Sequence, residues 1–155
     1  MEGMMDEMED GRTAEGAGRP WHIWLVGVLG LLWNGMGAFD YTMTETRNAA
    51  YLAGFTADQL AYFNSFPAWA VAGWALGVWG GVAGCLLILL RRRAAVPVLA
   101  LSLAGAAVTV VFELTAAVPE SLKGPESAML TAAILIIAVL LLVYAMRMRR
   151  RGVLR

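Results

Sequence analysis

The sequence predicts an all-α polytopic membrane protein, a four-transmembrane-helix bundle with a short interfacial helical loop between helices 1 and 2. Three observations carry this. Four apolar stretches, about 21–42, 66–90, 94–117 and 127–146, each match the ~20 residues that cross a bilayer. Hydrophobic residues make up 59% of the 155 and charged residues 15%, too apolar for a soluble domain of this size to keep a wet surface. Ten of the twelve Lys and Arg residues fall on one side of the four stretches. Short connections leave room for one domain, 21–147, between an acidic tail at 1–20 and a basic tail at 148–155.

Each element has its own signals. Residues 1–20 are rich in Met, Glu, Asp and Gly without apolar periodicity, which reads as a disordered tail. Their acidity, and the length of the first apolar stretch, argue against a cleaved signal peptide. Span one follows Pro20, a residue suited to a helix start. In the loop at 43–65, Thr44 or Thr46 is positioned to cap a short segment ending near Gly54. Thr56 reads as the N-cap of a helix over 57–64, with Asp58 in the first turn, where the helix dipole favours an acid. Tyr51, Phe55, Leu60, Tyr62, Phe63 and Phe66 give this loop an apolar side suited to the membrane interface. Pro67 opens span two. Pro97 sits in the first turn of span three, where its missing N–H does no harm. Pro119, Gly124 and Pro125 break the chain before span four.

The charge layout orients the bundle. Arg12 and Arg19 precede span one, Arg91–Arg93 join spans two and three, and five arginines from Arg147 to Arg155 follow span four. Only Arg47 and Lys123 lie opposite. An even number of crossings puts both termini on one side, and the positive-inside bias makes that side the cytoplasm. The terminal arginines are suited to anchoring span four on anionic headgroups, and no nucleic-acid partner is expected. Cys85 is the single cysteine and His22 the single histidine, so one chain cannot form a disulfide, a bis-histidine haem site or a His-rich zinc site. No nucleophile–base constellation or phosphate-cradling loop appears, so neither catalysis nor a cofactor is expected.

In lipid, helices associate through close packing and hydrogen bonds, so inward faces carry small and polar residues. Span one offers Gly27, Gly30, Asn34, Gly37 and Tyr41 at alternating spacings of three and four. Span two offers Gly73, Gly77 and Gly81, continued by Cys85. Span three offers Ser102, Ala106, Thr109 and Glu113. These stripes predict a tight bundle, with the glycine row of span two at its centre or at a homo-oligomer interface.

Two acids lie at membrane depth, where ionisable groups cost about 2.5–3.5 kcal/mol at mid-bilayer on insertion scales. Asp40 and Glu113 are each about eighteen to twenty residues from the cytoplasmic end of their helix, and so at similar depth. Asn34 lies roughly 9 Å below Asp40 at 1.5 Å per residue. Arg47 is the cation placed to fold over both acids. The candidate solute or proton pocket is therefore Asn34, Asp40, Tyr41, Arg47, Thr109 and Glu113, open to the extracytoplasmic side. Two nearby carboxylates would raise one pKa and suit proton coupling. In the competing arrangement both acids sit in the headgroup zone, solvated or paired with Arg47, and Asn34 makes an interhelical hydrogen bond.

The run from Trp33-Asn34 through Gly37, Asp40-Tyr41 and Thr46-Arg47-Asn48 to Phe66-Pro67-Ala68-Trp69 resembles a family of small four-span bacterial inner-membrane proteins. Members are often called hypothetical membrane proteins or, loosely, sugar transporters. The resemblance covers roughly 21–113 and implies a bacterial inner-membrane location. It draws attention to Asn34, Asp40, Tyr41, Arg47 and Trp69. Trp33, Trp69, Trp74 and Tyr41 are rings of the kind sugars stack on, although four helices enclose a sugar path only by oligomerising. Two functions are thus expected. One is transport or binding of a small, sugar-like solute; the other is a non-catalytic accessory or assembly role in a larger membrane complex.

Overall fold

A computed structural model describes residues 20–155. The expected acidic tail, with Arg12 and Arg19, lies outside the described residues apart from Pro20. The described residues form an all-α chain, and the four spans are α1 (His22–Glu45), α4 (Ala68–Leu89), α5 (Ala95–Thr115) and α6 (Pro125–Arg150). Two short helices, α2 (Ala49–Leu52) and α3 (Ala57–Asn64), fill the first long loop. A single 3₁₀ turn, Glu120–Leu122, precedes α6. All four long helices are long and apolar enough to cross a membrane, which makes this a multi-pass membrane protein.

Local chemistry sets the boundaries. The Asn48 side chain accepts from the Tyr51 amide and caps α2. Thr56 caps α3 in a full capping box, since its hydroxyl accepts from the Gln59 amide while Gln59 Oε1 accepts from the Thr56 amide. Pro125 occupies the first turn of α6, with Glu126 beside it and Arg147, Arg149 and Arg150 in the last turn, so both ends complement the helix dipole. That complementarity lets α6 run on to Arg150, beyond the 146 expected from apolarity alone. α1 and α4 end differently. Arg47 (φ 53°) and Arg91 (φ 55°) take the left-handed conformation usually reserved for glycine. The amides one residue later, Asn48 and Arg92, return to Met43 and Leu87 carbonyls. Each arginine so placed costs about 1–2 kcal/mol relative to an unstrained residue.

α4 is the central helix, packed on α5 along one side and α1 along another. On the α5 side the backbones nearly touch. A Cβ added at Gly105 would stand 2.6 Å from the Gly73 carbonyl oxygen and 2.7 Å from the Gly77 nitrogen. One added at Gly77 would stand 3.3 Å from the Ala106 nitrogen, and one at Gly80 would stand 3.0 Å from Ser102 Cβ. Buried Ser102 donates its hydroxyl hydrogen bond to the Gly77 carbonyl at 2.5 Å. On the α1 side, Gly81 leaves the space that the Asn34 amide fills. Gly27 faces Leu89, Gly30 faces Cys85 and Leu141, and Gly37 faces Val78. The six packing glycines read from the sequence therefore all lie at helix contacts within the chain.

α6 joins mainly near the arginine-rich end, where Leu141, Ala145 and Met148 are buried. In its first half Met129, Leu130, Ile134 and Ile136 are exposed. The last residues are not a free basic tail. Gly152 (φ 71°) turns the chain, and Leu154 becomes fully buried in the cluster containing Ile23, Ile88, Val96 and Met148. The Arg155 amide donates to the Arg91 carbonyl at 2.7 Å, and the Arg93 amide donates to the Arg155 carbonyl at 3.1 Å. Burial of one leucine side chain contributes about 1.5–3 kcal/mol, enough to hold so short a segment.

The backbone contact makes a sharp prediction. Gly105→Leu must push α4 and α5 apart, lowering stability by about 1–3 kcal/mol or more. Gly35→Ala, where an added Cβ meets nothing within 4 Å, should leave thermal unfolding in mild detergent unchanged or slightly raised.

Candidate functional site

The polar residues of the candidate pocket do not share one chamber. Asp40 comes from the loop end of α1, and its partner arrives through the loop. After the left-handed turn at Arg47 the chain reverses, and Asn48 nucleates α2. This returns Tyr51, whose hydroxyl donates to Asp40 Oδ1 at 2.5 Å. Phe39 stands edge-on to the same tyrosine ring, and Tyr51 in turn meets Phe55. The Asp40 carboxylate, together with burial, pushes the Tyr51 phenol up to about 12, the hydrogen bond being the larger cause.

Glu113 lies elsewhere. It follows Phe112 on α5 and is half-buried, with Thr131 of α6 beside its carboxylate. Above it sits Tyr62 of α3, whose phenol is raised first by burial and then by the nearby Glu113 charge. Because α4 stands between α1 and α5, the two carboxylates belong to different sides of the bundle, and no hydrogen bond joins them. The expected approach of Asp40 to Glu113 is thus corrected. Residue counting fixes depth along each helix but not which helices are neighbours, and the glycine faces of α4 decide the latter.

The remaining residues are engaged locally. Asn34 Nδ2 donates to the Gly30 carbonyl at 2.8 Å and contacts Cys85 Sγ at 3.8 Å across the α1–α4 seam. Thr109 donates to the Gly105 carbonyl one turn back, at 3.2 Å. Tyr41 packs edge-on against Trp74, with ring centres 5.1 Å apart. Arg47 is exposed and does not cover the acids; among the described residues the one ion pair is Lys123–Glu120 at 2.8 Å.

What does close this end is aromatic. Tyr62, Phe63 and Phe66 from α3 and its exit meet Phe112 of α5 and Trp74 of α4, with Phe66 and Phe112 centred 4.5 Å apart. Trp69 stands edge-on to Phe112. Such pairs contribute about 0.5–1.5 kcal/mol each beyond their buried area. The loop helices are therefore a lid fixed to the ends of α4 and α5. Sequence reading found the rings of this loop but not Tyr51 as the partner of Asp40. At the opposite end it also missed the 2.6 Å hydrogen bond between His22 Nδ1 and the Tyr144 hydroxyl. Neither pairing leaves a spacing signal, since both depend on how separate helices are rotated.

Comparison with protein families, with characterised proteins and with solved structures finds no match to this chain.

The Asp40–Tyr51 contact is measurable by titration. The folded pKa of Tyr51 lies above its free value of 10. The contact therefore stabilises fully below about 10 and loses its effect as pH rises through about 12. NMR of ring-labelled tyrosine, with Tyr51→Phe to assign the signal, should show Asp40→Asn bringing the midpoint back towards 10. An unchanged midpoint would mean that Asp40 is not the partner.

Proposed function

We propose that the protein is a non-catalytic accessory or assembly subunit of a larger complex in the bacterial inner membrane. The observation that supports this most is the fate of the polar side chains within the spans. Asn34, Ser102, Thr109 and Thr42 each donate to a backbone carbonyl of this chain. Ser102 bonds across to α4 while the other three bond back within their own helix, so these donors are engaged by the protein's own backbone, and the aromatic lid rests on the bundle end. Bare apolar helix faces remain, including Leu76 and Trp79 on α4 and Met129 and Leu130 on α6. Lipid covers such faces by default, and a companion helix in a complex fits them equally well.

The proposed placement has both termini in the cytoplasm and the α2–α3 loop outside, on the ten-to-two distribution of Lys and Arg. A reporter fused at Ser65 should be active only in its periplasmic form, and one at Arg155 only in its cytoplasmic form.

A second reading, binding of a sugar-like solute at the outer face, is favoured by one observation. The Asp40 carboxylate is held in place by Tyr51 next to Phe39, the pairing of fixed acceptor and ring that carbohydrate sites use. The two readings part in one experiment. Isolation at native expression in mild detergent should recover this chain with other membrane proteins in fixed stoichiometry, and liposomes holding it alone should pass no sugar. Recovery of the chain by itself, with sugar flux that Asp40→Asn abolishes, would overturn the accessory role.

A further inference from the structure

The end of the bundle opposite the lid gathers arginines that the sequence keeps apart. The triplet Arg91–Arg93 forms the α4–α5 turn, and five more arginines lie between 147 and 155. Main-chain pairing of Arg155 with Arg91 and Arg93 ties the two groups together, and fully buried Leu154 pins the joint from beneath. Arg91 holds a left-handed conformation that glycine would take without strain, and its carbonyl is an acceptor in the pairing. The described acids, from Asp40 to Glu126, all belong to the other end, and none of these eight arginines is in an ion pair among the described residues. All but Arg91, which is half-buried, are exposed. The first turn of α1 closes the same end, where His22 is bonded to Tyr144 and Arg151 lies within electrostatic reach of that tyrosine.

From this we infer that the arginine-bearing end of α6, the docked tail and the α4–α5 turn together form one binding site for the phosphates of an anionic phospholipid headgroup. The site favours a headgroup with two phosphates, one for each arginine group. Guanidinium groups pair with phosphate through two parallel hydrogen bonds, so groups held at a fixed separation select spacing as well as charge. A loose basic tail gives only a diffuse attraction that any anionic surface satisfies. The helix end that carries Arg147, Arg149 and Arg150, with the buried leucine and paired backbone that hold Arg155 beside the turn, separates the two cases.

The test uses the full chain in mild detergent, with thermal unfolding and native mass spectrometry as readouts. The probes are diphosphatidylglycerol, phosphatidylglycerol, phosphatidylcholine and inorganic phosphate. Diphosphatidylglycerol should raise the melting temperature and stay bound in the spectrometer, phosphatidylglycerol should do so less, and the other two should not. Leu154→Gln keeps every arginine but releases the tail, and should weaken binding on the order of tenfold. Should that variant prove unstable, Arg92→Gln with Arg93→Gln on the turn, and Arg149→Gln with Arg150→Gln at the end of α6, test the same joint. Either pair alone should remove the preference for two phosphates. Equal binding by native chain and Leu154→Gln, or graded loss with the same lipid preference in both pairs, would overturn the site. An equal shift with inorganic phosphate would overturn the lipid as its ligand. No shift in the native chain, appearing once the six acids among residues 2–15 are neutralised, would assign the ring to that acidic segment instead.

Discussion

The rest of the molecule depends on how closely the α4 backbone approaches α5. Inside a bilayer no hydrophobic gain draws two apolar helices together, because lipid tails are as apolar as leucine. Association rests on dispersion contacts and hydrogen bonds that only short distances allow. The row Gly73, Gly77 and Gly80 supplies the distance, and Gly105 matches it from the other side. Ser102 then donates to the Gly77 carbonyl, a contact that a bulkier residue at either position would forbid. With α5 fixed on one side of α4, α1 must find another. It does so through Gly27, Gly30 and Gly37, with Asn34 received by Gly81. The separation of Asp40 from Glu113 follows from this order and from nothing nearer to the acids themselves.

The two ends are closed by different chemistry. At the loop end, capped α2 and α3 present rings to rings, and the closure is apolar with Tyr51 tied to Asp40. At the other end a buried leucine and two backbone hydrogen bonds fasten Arg155 to the arginine turn, beside the arginines that end α6. The asymmetry matches what each side of a membrane offers. Aromatic rings with a polar tip settle at an interface, whereas clustered arginines seek anionic headgroups. α6 belongs chiefly to the second closure, since its buried residues are Leu141, Ala145 and Met148.

Much of this was legible from the sequence because membrane length and capping chemistry are local. The spans expected at 21–42, 66–90, 94–117 and 127–146 fall within a few residues of the observed helices. Thr56, with Asp58 in the first turn, located α3 to the residue. The cap of α2 was assigned to Thr44 or Thr46 but is Asn48. Both threonines precede the left-handed turn at Arg47, and such a turn at a residue other than glycine leaves no mark in the sequence. The candidate pocket failed to assemble for a related reason. Depth along a helix can be counted, but whether α1 borders α5 is decided by which glycines of α4 face which neighbour. The docked tail was hidden too, since one leucine among arginines reads as solvated until its burial is seen.

The central position of α4 can be tested most directly by disulfide trapping in membranes, on a Cys85→Ala background. A Cβ at Gly77 would lie 3.7 Å from Ala106 Cβ, and one at Gly37 would lie 3.8 Å from Val78 Cβ, both suited to a disulfide. Gly77→Cys with Ala106→Cys, and Gly37→Cys with Val78→Cys, should therefore cross-link readily within one chain. Gly37→Cys with Ala106→Cys should not, because α4 stands between them. Efficient cross-linking of that last pair, with failure of the other two, would show that α1 and α5 are neighbours and would contradict the arrangement described.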